Sequence, residues 1–267
     1  MLLVAIETAT DSAGVALADE GGIVASLNLG RLRRHSETVV PGIAQLIRLA
    51  ARSISEVEAI AVDCGPGLFT GLRVGLAAAK GLCMSLGVLA IPVSSLEILA
   101  WQAVWSVGAC PPNPPNPPNP PLVSADTGPW SLDGWTIVST VDAKRGEIFW
   151  SGYGTGKTGL MDAIGLPAGP SVSPPDELAK MVREGRHPVL LVGGGALRYG
   201  EHFRGLPGVH IAIAAAGPSV ECLALLGLER QRCGRTVEGS DLAPIYLREP
   251  DATVNQDTWG APRRDEG

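Results

Sequence analysis

The feature that most constrains this chain is a glycine-rich stretch at residues 65–75, which reads GPGLFTGLRVG. It follows the apolar run 59–62, which is typical of a buried strand, and it leads into a helical run from Thr70 to about residue 86. Glycine permits backbone angles that other residues avoid, and proline restricts them. The stretch therefore predicts a tight strand-to-helix turn, with Thr70 as the N-cap of the helix.

A turn of this kind can direct amide groups and a helix dipole toward an anion, which makes Gly65 and Gly67 candidate positions for binding a phosphate. The alternative is a turn that only docks the helix on a sheet. The spacing of the glycines alone leaves both interpretations open.

The helix that follows the turn is apolar on almost every side, and its only charges are Arg73 and Lys80. These two residues are seven apart, so they share one narrow stripe of the helix. A helix without a polar face is normally buried on more than one side. Because one sheet cannot cover the whole circumference, we expect a second covering layer, such as a partner chain.

The composition limits the class of protein. At 267 residues and 45% apolar residues, the chain is long enough for two compact domains. A net charge of −6 argues against a generic nucleic-acid coat, and five widely spaced cysteines suggest a reducing, cytoplasmic setting. The start has no basic segment before Glu7, and no apolar run reaches the ~18 residues of a membrane span, so we expect no membrane association.

Residues 1–107 read as a first domain of order β-β-β-α-β-α-β-α, beginning with an antiparallel meander of three short strands. The turn after the first strand contains Glu7, Thr8 and Thr10. Hydroxyls can bind phosphate and acids can hold hydrated magnesium, although these groups can also satisfy the amides of the turn itself. The first helix is predicted to start near Thr38, because Pro41 is best tolerated in a first turn.

Residues 108–134 form a predicted proline-rich linker with three Pro-Pro-Asn units, which is either a surface loop between domains or a ligand for a proline-binding module. A second domain is expected at 135–248, with a last helix at 218–232 that can pack back on the first domain. The polar tail 249–267 is predicted to be disordered. The loop with Arg31, Arg33 and Arg34 is either a solvated surface or an RNA contact.

Five motifs carry a resemblance to a known family. They are IETAT at 6–10, the glycine-rich stretch at 65–75, VDAKRGEIF at 141–149, HSE at 35–37 and PIYLR at 244–248. Together they resemble the TsaB (YeaZ) family of bacterial subunits needed for threonylcarbamoyladenosine in tRNA. The resemblance implies an α/β fold of the actin-like (ASKHA) ATPase type. In that fold two domains each carry a mixed sheet flanked by helices, here with an abbreviated second domain.

The resemblance also implies a non-catalytic scaffold that forms a heterodimer with TsaD, the subunit that modifies the adenosine beside the anticodon. A TsaE-type ATPase joins the pair, tRNA is reached through the complex, and ATP and metal belong to the partner subunits. A homodimer through the same two helices is possible. The implied interface residues are Thr38, Pro41, Gln45, Arg73, Ala77, Lys80 and Met84.

The chain departs from the family pattern at Glu7, where aspartate is usual, and at Leu68, where serine is usual. Both changes weaken a nucleotide cleft formed by Glu7, Thr8, Thr10, Gly65 and Gly67. The run 94–100 lacks the paired histidines of TsaD-type subunits, so no metal site and no catalytic residue is predicted. The alternative is an independent ATPase or small-molecule kinase that uses Glu7 and Asp142. A peptidase is disfavoured, because neither a His-Glu-x-x-His motif nor a nucleophile elbow is present.

Overall fold

The structure is a computed structural model that describes residues 1–30, 35–106, 132, 134–156, 159–162, 166–212 and 216–248. Arg31, Arg33, Arg34 and the predicted tail lie outside the described residues, as does the predicted linker apart from residues 132 and 134. The described chain forms two mixed sheets, one from each half of the sequence, with helices on their faces. The predicted fold class is confirmed in this respect.

The first sheet has the strand order β3-β2-β1-β4-β5. Its strands are β1 (Leu2–Glu7), β2 (Ala13–Asp19), β3 (Gly22–Leu29), β4 (Val57–Asp63) and β5 (Leu89–Val93). The first three pair antiparallel, as the meander predicts, whereas β4 and β5 continue the sheet in parallel with β1. The carboxyl ends of β1 and β4 therefore meet at one edge of the sheet, where α/β folds place their sites.

Three helices belong to this half of the chain: α1 (His35–Leu49), α2 (Phe69–Leu86) and α3 (Ser95–Ser106). The predicted start of α1 near Thr38 was wrong, because the helix begins three residues earlier and Pro41 lies inside it. Val39, on the N-terminal side of Pro41, is buried in the same apolar stripe as Ile43. The free energy gained by burying that stripe exceeds the cost of the one backbone hydrogen bond that proline removes from the helix.

The predicted N-cap of α2 was also wrong. The helix begins at Phe69, so Thr70 lies in its first turn, and the N-cap position is taken by Leu68 without a side-chain hydrogen bond. The amide of Leu68 instead donates to the carbonyl oxygen of Ala9 at 2.7 Å, which fixes the start of the helix against the loop after β1.

The second sheet has the order β11-β10-β6-β7-β8, and β9 pairs with β7. Its strands are β6 (Thr136–Lys144), β7 (Glu147–Gly156), β8 (Gly159–Asp162), β9 (Ser171–Ser173), β10 (Val189–Val192) and β11 (Val209–Ile211). Its helices are α4 (Pro175–Glu184), α5 (Gly194–Arg198) and α6 (Val220–Arg232). The abbreviation of this half lies in short outer strands and in the five-residue α5, not in the number of strands.

The elements stack in five layers. Helices α1 and α2 cover one face of the first sheet, and α3 and α6 lie between the two sheets. Helix α4 and Phe203 pack with the outer face of the second sheet. Helix α6 approaches the first sheet closely at Gly227, where a Cβ would lie 2.8 Å from the Ala61 side chain. The last helix of the chain therefore joins the core of the first half.

After α6 the chain crosses α2 as an irregular segment, residues 237–248, which we call the C-terminal strap. It is anchored by paired amides between Val237 and Ala90, and by the Ile245 amide, which donates to the Cys64 carbonyl oxygen at 2.7 Å. Within it, Gly239 packs on the Cys83 side chain of α2. The predicted extended piece 243–248 is part of this strap but pairs with no sheet.

Candidate functional site

A cleft of about 470 Å³ separates the two sheets at the carboxyl ends of β1 and β6. One wall is the loop 9–12 together with Leu68, and the opposite wall carries Asp142, Lys144 and Arg198. Both halves of the chain contribute to the cleft, so its width depends on how the two sheets are held together.

The second wall is polar and internally paired. Asp142 Oδ2 lies 3.1 Å from Lys144 Nζ and 3.5 Å from the Arg198 guanidinium, and Asp142 Oδ1 accepts from the Tyr199 hydroxyl at 3.3 Å. Across the cleft stands Asp11. Two cations and two acids that line one cleft can bind a small polar ligand, and the hydroxyls of Thr10 and Ser12 add further donors.

Of the five residues predicted to form a nucleotide cleft, Thr10 lies on its wall. Glu7 and Thr8 are buried behind the loop. The amide of Gly65 donates to Asp63 Oδ1 at 2.8 Å, and Gly67 is so close to Ala9 that a Cβ would lie 2.2 Å from its carbonyl oxygen. The approach of Gly67 to Ala9 joins the turn to the loop after β1. This is the contact expected if the turn serves to dock the helix on the sheet.

Glu7 and Asp63 form a buried acid pair behind the first wall. Glu7 Oε1 accepts from the Ala9 amide at 2.8 Å, and Asp63 Oδ1 accepts from the Ser95 hydroxyl at 2.6 Å. Asp63 Oδ2 is buried without a hydrogen-bond partner. Burial, reinforced by the neighbouring Asp63 charge, raises the pKa of Glu7 well above its usual range, and burial raises the pKa of Asp63 to about 7.

Thr140 connects β6 to the glycine turn 193–195. Its hydroxyl donates to the Val192 carbonyl oxygen and accepts from the Ala196 amide, both at 2.7 Å. Sequence reasoning missed Thr140, and it also missed Asp63, Ser95 and Arg198 as site residues, whereas Asp11 was noted only as the second acid of the turn after β1. Asp63 had a usable signal, since an acid that directly follows a buried apolar run lies at the carboxyl end of a strand, where α/β folds place their sites. The other residues gave none, because their roles depend on chain segments far away in sequence.

The seven predicted interface residues occupy one side of the first half. Pro41, Arg73, Ala77 and Met84 are exposed, and Thr38, Gln45 and Lys80 are half-buried. The Met84 side chain is 81% exposed, and on α1 Val40 is 54% and Leu49 67% exposed.

Only part of α2 is covered by its own chain. The buried residues are Gly71, Leu72, Gly75, Leu76, Ala79 and Cys83, which face the sheet. Thr8 supports this packing, since its hydroxyl donates to the Gly71 carbonyl oxygen at 2.9 Å. On one flank the strap holds Lys80, whose Nζ donates to the Ser240 carbonyl oxygen at 3.2 Å. The strip from Thr70 to Met84 remains open between α1 and the strap.

The strap also builds an aromatic cluster at the start of α2. The Tyr246 ring lies 5.2 Å from the Phe69 ring, and the Arg73 guanidinium stands 3.8 Å above the Phe69 centroid. Two residues further on, Arg248 pairs with Glu147 of β7 at 2.8 Å. The strap therefore connects the open side of α2 to the hairpin that bears Asp142 and Lys144.

Among the residues that the structure describes, no cluster of three His, Cys, Asp or Glu side chains could hold a metal ion. In the same part of the chain, every helix is too short or too polar to cross a bilayer.

The chain is similar to several known proteins. A family model described as TsaD, tRNA N6-adenosine threonylcarbamoyltransferase, matches residues 5–128. The TsaB protein of Bacillus subtilis (strain 168) is 28% identical over 93% of this chain and 94% of its own length. TsaB of Escherichia coli (strain K12) is also 28% identical, but the match covers 60% of this chain and 58% of that protein, less than two thirds of it.

Solved structures give the same picture. A Pseudomonas aeruginosa protein described as similar to the peptidase YeaZ aligns with a TM-score of 0.71 at 26% identity, covering 92% of this chain and 99% of that one. A second structure, described as YeaZ from Pseudomonas aeruginosa, aligns with a TM-score of 0.68 at 25% identity over 92% and 100% of the two chains. The motifs, the curated relatives and the shared architecture together show that this chain is similar to TsaB (YeaZ) proteins over most of its length.

Proposed function

We propose that this chain is a non-catalytic subunit of a complex that makes threonylcarbamoyladenosine in tRNA, and that it activates a TsaD-type transferase by forming a heterodimer with it. Curated relatives named as TsaB biosynthesis proteins support the pathway. The observation that carries the scaffold role is that only half of α2 is covered. Neither the sheet, nor α1, nor the strap covers its outward side.

In this proposal α1 and α2 form the docking surface, with Thr38, Pro41, Gln45, Arg73, Ala77, Lys80 and Met84 as its residues. The third helix of a TsaD-type subunit would supply the metal ligands, since α3 here contains no histidine. A TsaE-type ATPase joins the pair, and tRNA is reached through the complex in the cytoplasm. The partner subunits, and not this chain, bind ATP and the metal ion.

The experiment is a co-purification of the chain with the TsaD-type transferase of the same organism. Ala77→Arg and Ala78→Arg should abolish pairing, because an unpaired guanidinium desolvated in an interface costs about 3 kcal/mol, or more than 100-fold in affinity. Ala168→Arg, at an exposed position of the second half, is the matched control. Normal co-purification of both helix variants would show that the docking surface has been misplaced.

A second readout is the modification assay itself. Omitting this chain from a reconstituted mixture of TsaD-type and TsaE-type proteins, supplied with tRNA, ATP and threonylcarbamoyl adenylate, should remove threonylcarbamoyladenosine formation, and adding it back should restore it. Ala168→Arg should restore it as well as the native chain does, and Ala77→Arg should not.

The cleft supports one alternative, an independent ATPase or small-molecule kinase of the same fold. Thr10, Asp11, Asp142 and Lys144 are suitable groups for a phosphorylated ligand. Isothermal titration of the purified chain with magnesium ATP separates the two functions: micromolar binding with turnover would reject the scaffold, and its absence would leave the enzyme hypothesis without support.

A further inference from the structure

We propose that the cleft between the two sheets binds a small zwitterion, a molecule whose carboxylate and ammonium groups are joined by a short apolar chain. This inference concerns the cleft alone, so it goes beyond the proposed function and does not depend on the heterodimer. It is carried by the charges of the two cleft walls, which are opposite in sign and incompletely paired.

The wall from the second half of the chain carries more positive than negative charge. Lys144 Nζ and the Arg198 guanidinium share one acceptor, Asp142 Oδ2, at 3.1 and 3.5 Å. The other carboxylate oxygen, Oδ1, accepts from the Lys144 amide at 2.9 Å and from the Tyr199 hydroxyl at 3.3 Å. Because a single carboxylate serves both cations, these cations can bind one further anion.

The neighbouring acid does not remove this excess of positive charge. Glu147 faces Lys144 across the hairpin of β6 and β7, but Arg248 lies 2.8 Å from Glu147 and balances its charge. Arg145, at the tip of the same hairpin, is another cation. A carboxylate that enters the cleft therefore meets net positive charge on this wall.

The wall from the first half has the opposite sign. The charged side chain that it presents to the cleft is Asp11, which is exposed and makes no hydrogen bond or ion pair with any residue that the structure describes. Thr10 and Ser12 beside it contribute neutral hydroxyls, and Glu7 and Asp63, buried behind the loop, bring no positive charge. This wall can therefore bind an ammonium group.

A polyphosphate fits this arrangement poorly. It would face Asp11 on one wall and Asp142 on the other, and like charges at close range repel. The Leu68 amide, at the start of α2, already donates to the carbonyl oxygen of Ala9 at 2.7 Å, so it is not available to a phosphate. A zwitterion that lies between the walls instead brings the missing charge to each of them.

Apolar side chains line the rest of the cleft and suit the chain that joins the two charges. They are Leu68, Val141 and Leu197, and they can pack with methylene groups of the ligand. The volume of about 470 Å³ lies in the range of pockets that bind small molecules. The cleft therefore combines an anion site, a cation site and an apolar surface in one small space.

The first test is isothermal titration of the full chain with amino acids that differ in the separation of their charges. The series is glycine, β-alanine, γ-aminobutyrate, δ-aminovalerate and ε-aminocaproate. Because charges this exposed interact weakly, we expect millimolar affinity, with a maximum at the length that spans the two walls. The carboxylic acid and the alkylamine of that length, which each lack one charge, should bind about fivefold more weakly or less.

The second test uses the sign of two substitutions. Arg198→Gln and Asp11→Asn should each weaken binding of the best zwitterion by about fivefold. For inorganic phosphate, titrated as a separate probe, Asp11→Asn should strengthen binding, because it removes a repulsive charge. Glu177→Gln and Lys180→Gln, at exposed positions of α4, are the matched controls and should leave both affinities unchanged. Thermal melts should show that all four variants are folded.

Three results would overturn the inference. The first is a lack of saturable binding for every member of the series. The second is tighter binding of inorganic phosphate or magnesium ATP than of any zwitterion, which would make the cleft an anion site. The third is native affinity in both Asp11→Asn and Arg198→Gln, which would place the ligand elsewhere.

The proposed function is tested separately, because its docking surface lies on α1 and α2. Ala77→Arg should disrupt the heterodimer and leave zwitterion binding unchanged. If Ala77→Arg pairs normally while the zwitterion binds as expected, the docking surface is rejected and the cleft ligand stands. If the zwitterion does not bind while Ala77→Arg disrupts pairing, the docking surface stands and the cleft ligand is rejected.

Discussion

Glu7 and Asp63 end the adjacent parallel strands β1 and β4, and both carboxyl groups are closed off from solvent, at 2% and 0% exposure. The Glu7 carboxyl group accepts hydrogen bonds from the amides of Ala9 and Thr10, whereas Asp63 Oδ2 has no hydrogen-bond partner. Two desolvated carboxyl groups on adjacent strands do not both stay charged at neutral pH. We expect Glu7 to keep a proton at neutral pH and Asp63 to titrate near it, because burial and the Asp63 charge raise the pKa of Glu7 the further of the two.

This pair makes folding stability depend on pH. Burial raises the pKa of Asp63 to about 7, so between about pH 4 and pH 7 the unfolded chain has released a proton that the folded chain keeps. The unfolded state then binds fewer protons, and the free energy of unfolding falls as pH rises through that window. At about 1.4 kcal/mol per pKa unit, the loss approaches ~4 kcal/mol.

The first prediction follows from that sign. The melting temperature of the native chain should fall on the order of 5–10 °C between pH 5 and pH 8, and Asp63→Asn should reduce this slope by at least half. The asparagine oxygen can still accept from Ser95 and Gly65, and its amide can donate to Glu7. Glu177→Gln, at an exposed carboxyl of α4, is the control. An unchanged slope in Asp63→Asn would exclude Asp63 as the titrating group.

The second prediction concerns the contact between α2 and β1. A Cβ on Gly75 would lie 2.3 Å from Thr8 Oγ1, and the Thr8 side chain is fully buried. Gly75→Ala should therefore lower stability by about 1–3 kcal/mol in chemical denaturation. Gly81→Ala, six residues further along the same helix with open space around it, should instead raise stability by up to ~1 kcal/mol.

A double mutant checks the cause of that effect. In Thr8→Ala/Gly75→Ala the clashing hydroxyl is gone, so the loss should be smaller than the sum of the two single losses by more than ~0.5 kcal/mol. Strict additivity would mean that Gly75 is needed for some other reason than its approach to Thr8.

The third prediction uses the missing cap at the start of α2. Leu68 occupies the N-cap position with an extended backbone, but it cannot accept a hydrogen bond from the first turn. Leu68→Ser should be more stable than Leu68→Ala by about 1 kcal/mol, because both variants remove the leucine and only serine supplies the oxygen. Equal melting temperatures for the two variants would show that the first turn is satisfied in another way.

The fourth prediction concerns Arg230, which ties α6 to the rest of the core by donating to Glu97 of α3 and to the Pro92 carbonyl oxygen of β5. Arg230→Met leaves Glu97 unpaired in a largely covered position, so it should lower stability by about 2–3 kcal/mol. The double variant Arg230→Met/Glu97→Met should recover at least half of that loss in the same denaturation experiment. No recovery would mean that the bond to Pro92 carries the effect.

Much of the fold could be predicted because its signals are local. The apolar runs of β1, β4 and β6 and the repeating stripe of α1 report burial within a few residues. The three-residue strands β9 and β11 escaped prediction, since so short a segment shows no alternation and becomes a strand only by pairing with β7 or β10. The capping role expected of Thr70 failed for a related reason, because Ala9, far away in sequence, decides where α2 begins.

The sequence by itself determined the order of strands and helices in the first half, the glycine turn and the excess of apolar surface on α2, since each depends on residue types at short spacing. Only the tertiary structure decided which side of α2 stays open, because the strap that covers one flank comes from residues more than 150 positions later in the chain. It also decided that Glu7 would meet Asp63. Two acids at distant positions reveal no interaction until parallel pairing of β1 and β4 brings them into one solvent-excluded site, where the desolvation of charge sets their protonation.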